Sequence, residues 1–187
     1  MKRSMALTLL LSALSLYLTA ANAQTSPNKN QVLPYDDAEG YLVLSSIIDL
    51  RTSRWKTEPV SVFQHTISPE KLNKLKNECR DKVPAEFQGA AEDFDRKAKT
   101  RFLLKGRFSL QKKYRFVAAP IVKSVGVLSV SAVGFDETKT RAIVLVEYLA
   151  RRADSIVLGG DSIFYLLRKT PTGWEDVTVV AKCGRIY

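Results

Sequence analysis

The sequence predicts an α+β domain in which N-terminal helices pack on one face of a curved, antiparallel meander sheet of four to five C-terminal strands. The first half of the chain carries helix-start signals followed by apolar residues at helical spacing. The last third consists of runs rich in β-branched and aromatic residues, separated by turn sequences. This order, with helices first and strands later, is typical of α+β domains.

The sequence divides into a signal peptide over residues 1–23, a flexible leader over residues 24–34 and a single α+β domain over residues 35–187. Two basic residues precede an apolar stretch that ends in Ala21-Asn22-Ala23, a motif typical of a cleavage site. We therefore expect an exported protein, periplasmic or extracellular, whose mature chain begins at Gln24. The alternative is an N-terminal membrane anchor. Charged residues interrupt every later apolar stretch, so we expect no transmembrane segment in the mature chain.

The helices are predicted from capping residues and apolar spacing. Asp36 is a candidate N-cap and Glu39 can return the capping bond, which predicts a helix over Asp37–Leu50. Two apolar stripes on this helix indicate deep burial. Ser68-Pro69-Glu70 predicts a second helix start, because proline favours the first helical position. Pro84 begins a further helix in the same way.

Six segments have the composition and alternation of strands, and the last four are predicted to form the meander. The connections between those four are two short turns, at 136–139 and 170–173, and a longer stretch with two glycines at 151–160. The predicted strands are Pro59–Thr66, Tyr114–Ala119, Val127–Phe135, Thr140–Leu149, Ser162–Arg168 and Trp174–Cys183.

Positive charge is concentrated in one part of the chain. The formal charge is +10, and residues 96–123 contain ten basic residues and no acid. Aromatic residues are interleaved with the basic ones, a combination that binds polyanions or anionic membranes. The residues that we predict to contact an anionic partner are Arg96, Lys97, Lys99, Arg101, Lys105, Arg107, Lys112, Lys113 and Arg115.

Anionic lipid, a polyanionic glycan or an acidic protein at the cell envelope fits this segment. Nucleic acid ranks below them, because an exported protein does not normally meet cytoplasmic nucleic acid. An opposing interpretation is a solvated basic loop whose aromatic residues anchor it to the core. A further interpretation is that the segment neutralises the acidic residues before it. Oligomeric state is not determined by these patterns.

The sequence predicts no catalytic residue, no metal site and no cofactor. His65 is the single histidine, no G-x-S-x-G elbow accompanies it, and no zinc-ligand spacing or phosphate-binding loop is present. We therefore expect a non-enzymatic binding domain. The alternative is a small-molecule-binding or isomerase-like enzyme, in which Glu147, Tyr148 or Tyr165 lies in a pocket between helices and sheet. A structural or inhibitory domain would instead expose an apolar patch.

The C-terminal third also carries a recognisable string of residues. It comprises Val133-Gly134-Phe135-Asp136, Thr140–Val146, Gly159-Gly160, Tyr165–Arg168 and Gly173–Val177. In this string the chain resembles the end of a group of uncharacterised exported bacterial proteins. Its final hairpin also resembles the last strands of nuclear-transport-factor-like and cystatin-like α+β folds. The resemblance implies a cone-like sheet with helices against it and carries no activity.

The two cysteines predict one disulfide bond. Cys79 follows Leu72 on the apolar face of its helix, and Cys183 shares one face of the last strand with Val177 and Val179 by period two. An oxidising compartment and an even number of cysteines favour a Cys79–Cys183 bond. The alternative is a pair of buried free thiols.

Mass spectrometry of the protein recovered after export tests both predictions. We expect a denatured mass that begins at Gln24 and is two hydrogens below the reduced mass, and we expect reduction to restore those hydrogens. A chain that retains residue 1, or cysteines that react with an alkylating reagent before reduction, would contradict the signal peptide or the disulfide respectively.

Overall fold

The computed structural model describes residues 32–55, 59–73, 82–118, 126–151 and 158–186, and the description that follows concerns these residues. In most of the last strand, and where the two preceding strands meet the 152–157 gap, only the backbone is described. The signal peptide therefore lies outside the described residues, as does most of the leader.

The described residues form two longer helices and nine strands. A helical segment at 69–73 lies between β2 and α2, and a 3₁₀ turn, Ala85–Phe87, leads directly into α2. In chain order the elements are β1 (Val32–Pro34), α1 (Ala38–Thr52), β2 (Val60–Phe63), α2 (Gln88–Lys97), β3 (Arg101–Leu103), β4 (Tyr114–Val117), β5 (Val127–Val130), β6 (Gly134–Phe135), β7 (Arg141–Arg151), β8 (Leu158–Thr170) and β9 (Gly173–Ile186).

The main sheet is mixed, with strand order β4-β2-β5-β7-β8-β9 and β6 paired to β7. Strand β2 pairs in parallel with both β4 and β5, whereas β5, β7, β8 and β9 pair antiparallel. The α+β class is confirmed, but the predicted antiparallel meander of four to five strands is not, because the sheet is mixed. Alternation identifies a segment as a strand without identifying its partner, and parallel pairs form across long connections.

Helices cover both faces of the sheet, whereas the sequence predicts them on one face only. Helix α1 packs on the face of β7 that carries Val144 and Val146. Helix α2 and the 69–73 segment pack on the opposite face, against Ile143 and Leu145. Residues 142–147 are consequently buried without interruption, which is the pattern of a strand covered on both sides.

The N-cap of helix α1 lies one residue later than predicted. The side chain of Asp37, rather than Asp36, accepts a hydrogen bond from the Gly40 N–H at 3.1 Å. Glu39 does not return a capping bond to Asp36 in this arrangement; its carboxylate accepts from Trp174 Nε1 at 2.9 Å. The predicted deep burial is confirmed, because a single stripe of α1 faces solvent.

The last three residues of the predicted leader, Val32–Pro34, form β1. This strand pairs in parallel with β3, and the next residue continues the contact through a bond from the Tyr35 N–H to the Leu103 carbonyl at 2.9 Å. The Tyr35 ring is buried, and burial raises the pKa of its hydroxyl far above the usual range. The pairing with β3 and the burial of the Tyr35 ring join β1 to the rest of the domain.

The predicted disulfide falls on residues whose side chains are not described. Cys79 lies outside the described residues, and Cys183 lies in the part of β9 where only the backbone is described. The β8–β9 pairing shifts register at three places, so the strict alternation used to place Cys183 is interrupted. The bond stays a prediction.

Strand β6 lies directly against α2 at Gly134. A Cβ atom added there would come within 2.5 Å of the Phe94 backbone nitrogen and closer still to the Ala90 carbonyl oxygen. Both of these are backbone atoms of a helix, which cannot rotate away. Glycine is therefore required at this close approach.

We expect Gly134→Ala to lower the free energy of unfolding by about 1–3 kcal/mol, because the added methyl group overpacks the contact between β6 and α2. Urea denaturation measures the change. Gly89→Ala is the matched control: the nearest atom to its added Cβ is Asp136 Cβ at 3.7 Å, so we expect no loss of stability. Equal losses in the two variants would contradict this account.

Candidate functional site

The structure distributes the predicted contact residues over several places rather than one face. Arg96 and Lys97 end α2, and Lys99 and Arg101 lead into and begin β3. Arg115 lies on β4 and donates to Ser61 Oγ at 3.1 Å, on the sheet face opposite to α1. The remaining residues, Lys105, Arg107, Lys112 and Lys113, belong to one irregular segment along α1.

We define that segment, residues 104–113, as the strap. Three of its backbone N–H groups donate to side chains spaced four residues apart along one face of α1, so the strap runs parallel to the helix. The three bonds run from Lys105 to Tyr41 Oη at 2.6 Å, from Ser109 to Ser45 Oγ at 3.0 Å and from Gln111 to Asp49 Oδ1 at 3.0 Å.

Lys112 fixes the end of the strap to the end of α1. Its ammonium group donates to the Thr52 carbonyl at 2.9 Å and also to the Trp55 carbonyl. Carbonyl groups at a helix C-terminus lack partners within the helix and carry partial negative charge, so a lysine there caps the helix. Lys112 therefore holds the fold together and is not free to bind a partner.

The aromatic residues of the segment point into the core. Phe108 is buried, and its ring contacts Tyr41, Tyr114 and Phe116 at centroid distances between 5.2 and 5.9 Å. Phe102 also packs against this cluster. Packing of these aromatics against the core is the feature that the opposing interpretation of a core-anchored basic loop predicts.

The outer side of the strap presents cations. Lys105 and Arg107 both contact Asp36, at 3.3 and 3.5 Å, and all three side chains are about half exposed. Such exposed pairs are weak and leave the ammonium and guanidinium groups accessible to a partner. Lys113 is exposed and forms no ion pair within the described part of the chain.

Arg54 joins this group, although the sequence pattern does not predict it. It lies in the predominantly acidic first half, so the charge count along the chain did not single it out. The fold places it just beyond α1, beside the Trp55 carbonyl that accepts from Lys112, and it is exposed. We define Arg54, Lys105, Arg107 and Lys113 as the basic surface.

Lys97 has a structural role. Its ammonium group donates to Asp37 Oδ2 at 3.2 Å and to the Val133 carbonyl at 2.8 Å, and it pairs with Asp93 at 3.0 Å. It thereby connects the cap of α1, helix α2 and the loop before β6. Burial alone raises the pKa of Asp93, but bonds from Arg96, the Phe135 N–H and Lys97 outweigh burial and hold that pKa below its usual range.

A cleft of about 500 Å³ lies between α2 and the β6–β7 turn. Its acids are largely engaged in the fold: Asp93 binds the groups just described, and Asp136 accepts from the N–H groups of Thr140 and Arg141. Glu92, Glu137 and Lys139 bring both signs of charge to its rim. This mixture favours no particular ligand class.

The residues of the enzymatic alternative lie on opposite faces of the sheet. Glu147 is buried on the α2 side, where it accepts from Lys71 Nζ at 2.8 Å and Ser162 Oγ at 3.2 Å. Tyr148 and Tyr165 belong to the cluster on the α1 side. Because the sheet separates them, Glu147 and the two tyrosines cannot act on one substrate together.

His65 lies just after β2, where it forms an isolated bridge with Leu103. Burial and then the charge of Arg101 lower the pKa of His65. Among the described residues, no group of three His, Cys, Asp or Glu side chains could hold a metal ion.

No family model, curated protein or solved structure matches this chain. In the described part of the chain, none of the helices is long and apolar enough to span a bilayer. A functional assignment therefore depends on the geometry of the strap and of α1.

Lys112 and Lys113 provide a matched test of which lysines are structural. We expect Lys112→Met to lower the free energy of unfolding by about 1–2 kcal/mol, because the helix-end carbonyl of Thr52 and the nearby carbonyl of Trp55 lose a charged donor. We expect Lys113→Met to change it by less than about 0.5 kcal/mol, since its side chain is exposed. Thermal or urea denaturation measures both, and indistinguishable effects would contradict the capping role.

Proposed function

We propose that this protein is a non-enzymatic binding domain that contacts anionic partners through the basic surface. The supporting observation is the strap, whose backbone is bonded to α1 and whose Phe108 is buried in the core, while Lys105, Arg107 and Lys113 remain exposed. Cations held on a fixed segment lose little conformational freedom on binding beyond that of their own side chains.

The proposal includes export. The N-terminal pattern with its Ala21-Asn22-Ala23 motif supports a cleaved signal peptide and a location in the periplasm or outside the cell. Anionic lipid, polyanionic glycans and acidic proteins are the partners available there. Nucleic acid is less well supported, because an exported protein does not normally meet it and because the aromatic residues of the segment pack against the core.

Binding is better supported than catalysis. The exposed residues of the basic surface are lysine and arginine, which supply charge and hydrogen-bond donors. The candidate acid and the two tyrosines of the isomerase-like alternative are separated by the sheet. A surface of this kind attracts a polyanion by electrostatics, and salt therefore weakens the attraction.

Binding of the exported protein to immobilised dextran sulfate, measured at increasing salt, tests the proposal. We expect the affinity to fall steeply with salt. In the triple variant Lys105→Gln, Arg107→Gln and Lys113→Gln, we expect the slope of log affinity against log salt to fall by up to about three, one for each cation removed.

The matched control removes the same charge elsewhere. It substitutes glutamine at three exposed basic residues away from the strap, namely Lys82, Lys139 and Arg168, and we expect it to retain most of the wild-type slope. Binding that is independent of salt, or equal losses in the two triple variants, would overturn the basic surface as the contact site.

A further inference from the structure

The exposed stripe of α1 carries two leucines beside the strap. Leu42 is 52% exposed and Leu50 is 53% exposed, more than any other large apolar residue that the structure describes. They are eight residues apart, just over two helical turns, and therefore lie on the same face of α1. Ser46, which lies between them on this stripe, is partly exposed.

The exposed leucines lie beside the strap on α1. The strap is bonded to Tyr41 and Asp49, and each of these residues immediately precedes one of the exposed leucines. Successive helix residues are about 100° apart around the axis, so the leucine stripe adjoins the stripe that the strap covers. Two apolar side chains therefore lie next to the basic surface along the length of α1.

We propose that this combined surface docks on a bilayer containing anionic phospholipid. The inference rests on the proposed function and specifies its partner. Lysine and arginine near an anionic bilayer are attracted to its headgroups, while neighbouring leucines enter the boundary between headgroups and acyl chains. A soluble polyanionic glycan offers the cations a partner but offers the leucines no apolar phase, so the leucines favour the bilayer.

The orientation on the bilayer follows from the helix. Because Leu42 and Leu50 lie on one face of α1, the helix axis lies parallel to the membrane plane. Lys105 and Arg107 lie towards the start of α1, near Asp36, whereas Arg54 and Lys113 lie towards its end. The basic surface therefore contacts headgroups at both ends of the helix.

Co-sedimentation of the exported protein with phospholipid vesicles tests the inference. We expect binding to vesicles of phosphatidylglycerol mixed with phosphatidylcholine, and weak binding to phosphatidylcholine alone. The double variant Leu42→Ser and Leu50→Ser keeps every charge, and we expect it to bind the anionic vesicles at least about tenfold more weakly. Leu42→Met with Leu50→Met is the conservative control and should bind as the wild type does.

Removal of the cations measures their contribution to vesicle binding separately from that of the leucines. We expect Lys105→Gln, Arg107→Gln and Lys113→Gln each to lower binding to the anionic vesicles about fivefold. Dextran sulfate binding of the serine double variant should stay at the wild-type level, since both leucines lie outside the charge contact.

Failure of the inference and failure of the proposed function give different results. If the wild type binds dextran sulfate but not the anionic vesicles, or if the serine variant binds the vesicles as the wild type does, the partner is a soluble polyanion or an acidic protein and the bilayer inference is wrong. If the wild type binds neither dextran sulfate nor vesicles, the proposed function itself is wrong.

Discussion

The uninterrupted burial of the central strand β7 is the constraint on which the rest of the fold depends. Residues 142–147 are buried in succession, so both faces of the strand need cover from other parts of the chain. Helix α1 provides it on one face, and α2 with the 69–73 segment provides it on the other. Each helical layer is then held in place by its own hydrogen bonds and ion pairs. Charged residues that form these contacts are not available to a partner, and the others remain free.

Two of the lysines that hold the helices in place belong to the same basic segment that is proposed to bind a partner. Lys97 joins α2 to the cap of α1, and Lys112 caps the opposite end of α1. Lys71 performs a similar task for the 69–73 segment through the buried Glu147. Lysines a few positions apart in the sequence therefore have different roles. The structural lysines are partly buried and bonded to specific partners, whereas the others are exposed.

Much of the fold was predictable from the sequence because it depends on local signals. The helix start at Pro69 and the strands of the last third follow from proline placement, β-branched composition and turn residues, and the structure contains them. The segment predicted as one strand, Val127–Phe135, is divided into β5 and β6. The burial of both faces of β7 could also be predicted, since Ala142–Val146 is continuously apolar instead of alternating.

The remaining features depend on contacts between distant residues. Nothing in the composition of β2 indicates that it pairs in parallel with β4 and β5, because pairing is decided by the path of the connections. Lys112 and Lys113 are identical neighbours in sequence, and only the position of the α1 carbonyls separates their roles. Arg54 was hidden for the same reason, since its surface is assembled from two segments about fifty residues apart in the sequence.

The position of β4 has a consequence for how copies of the protein behave at high concentration. It is an edge strand of the described sheet, and an unprotected edge is a template on which a second chain can add a strand and begin aggregation. Lys113 immediately precedes this edge and Arg115 lies within it, both exposed. Two chains that approach edge to edge would bring these cations together, so the same positive charge acts as a gatekeeper that keeps copies apart.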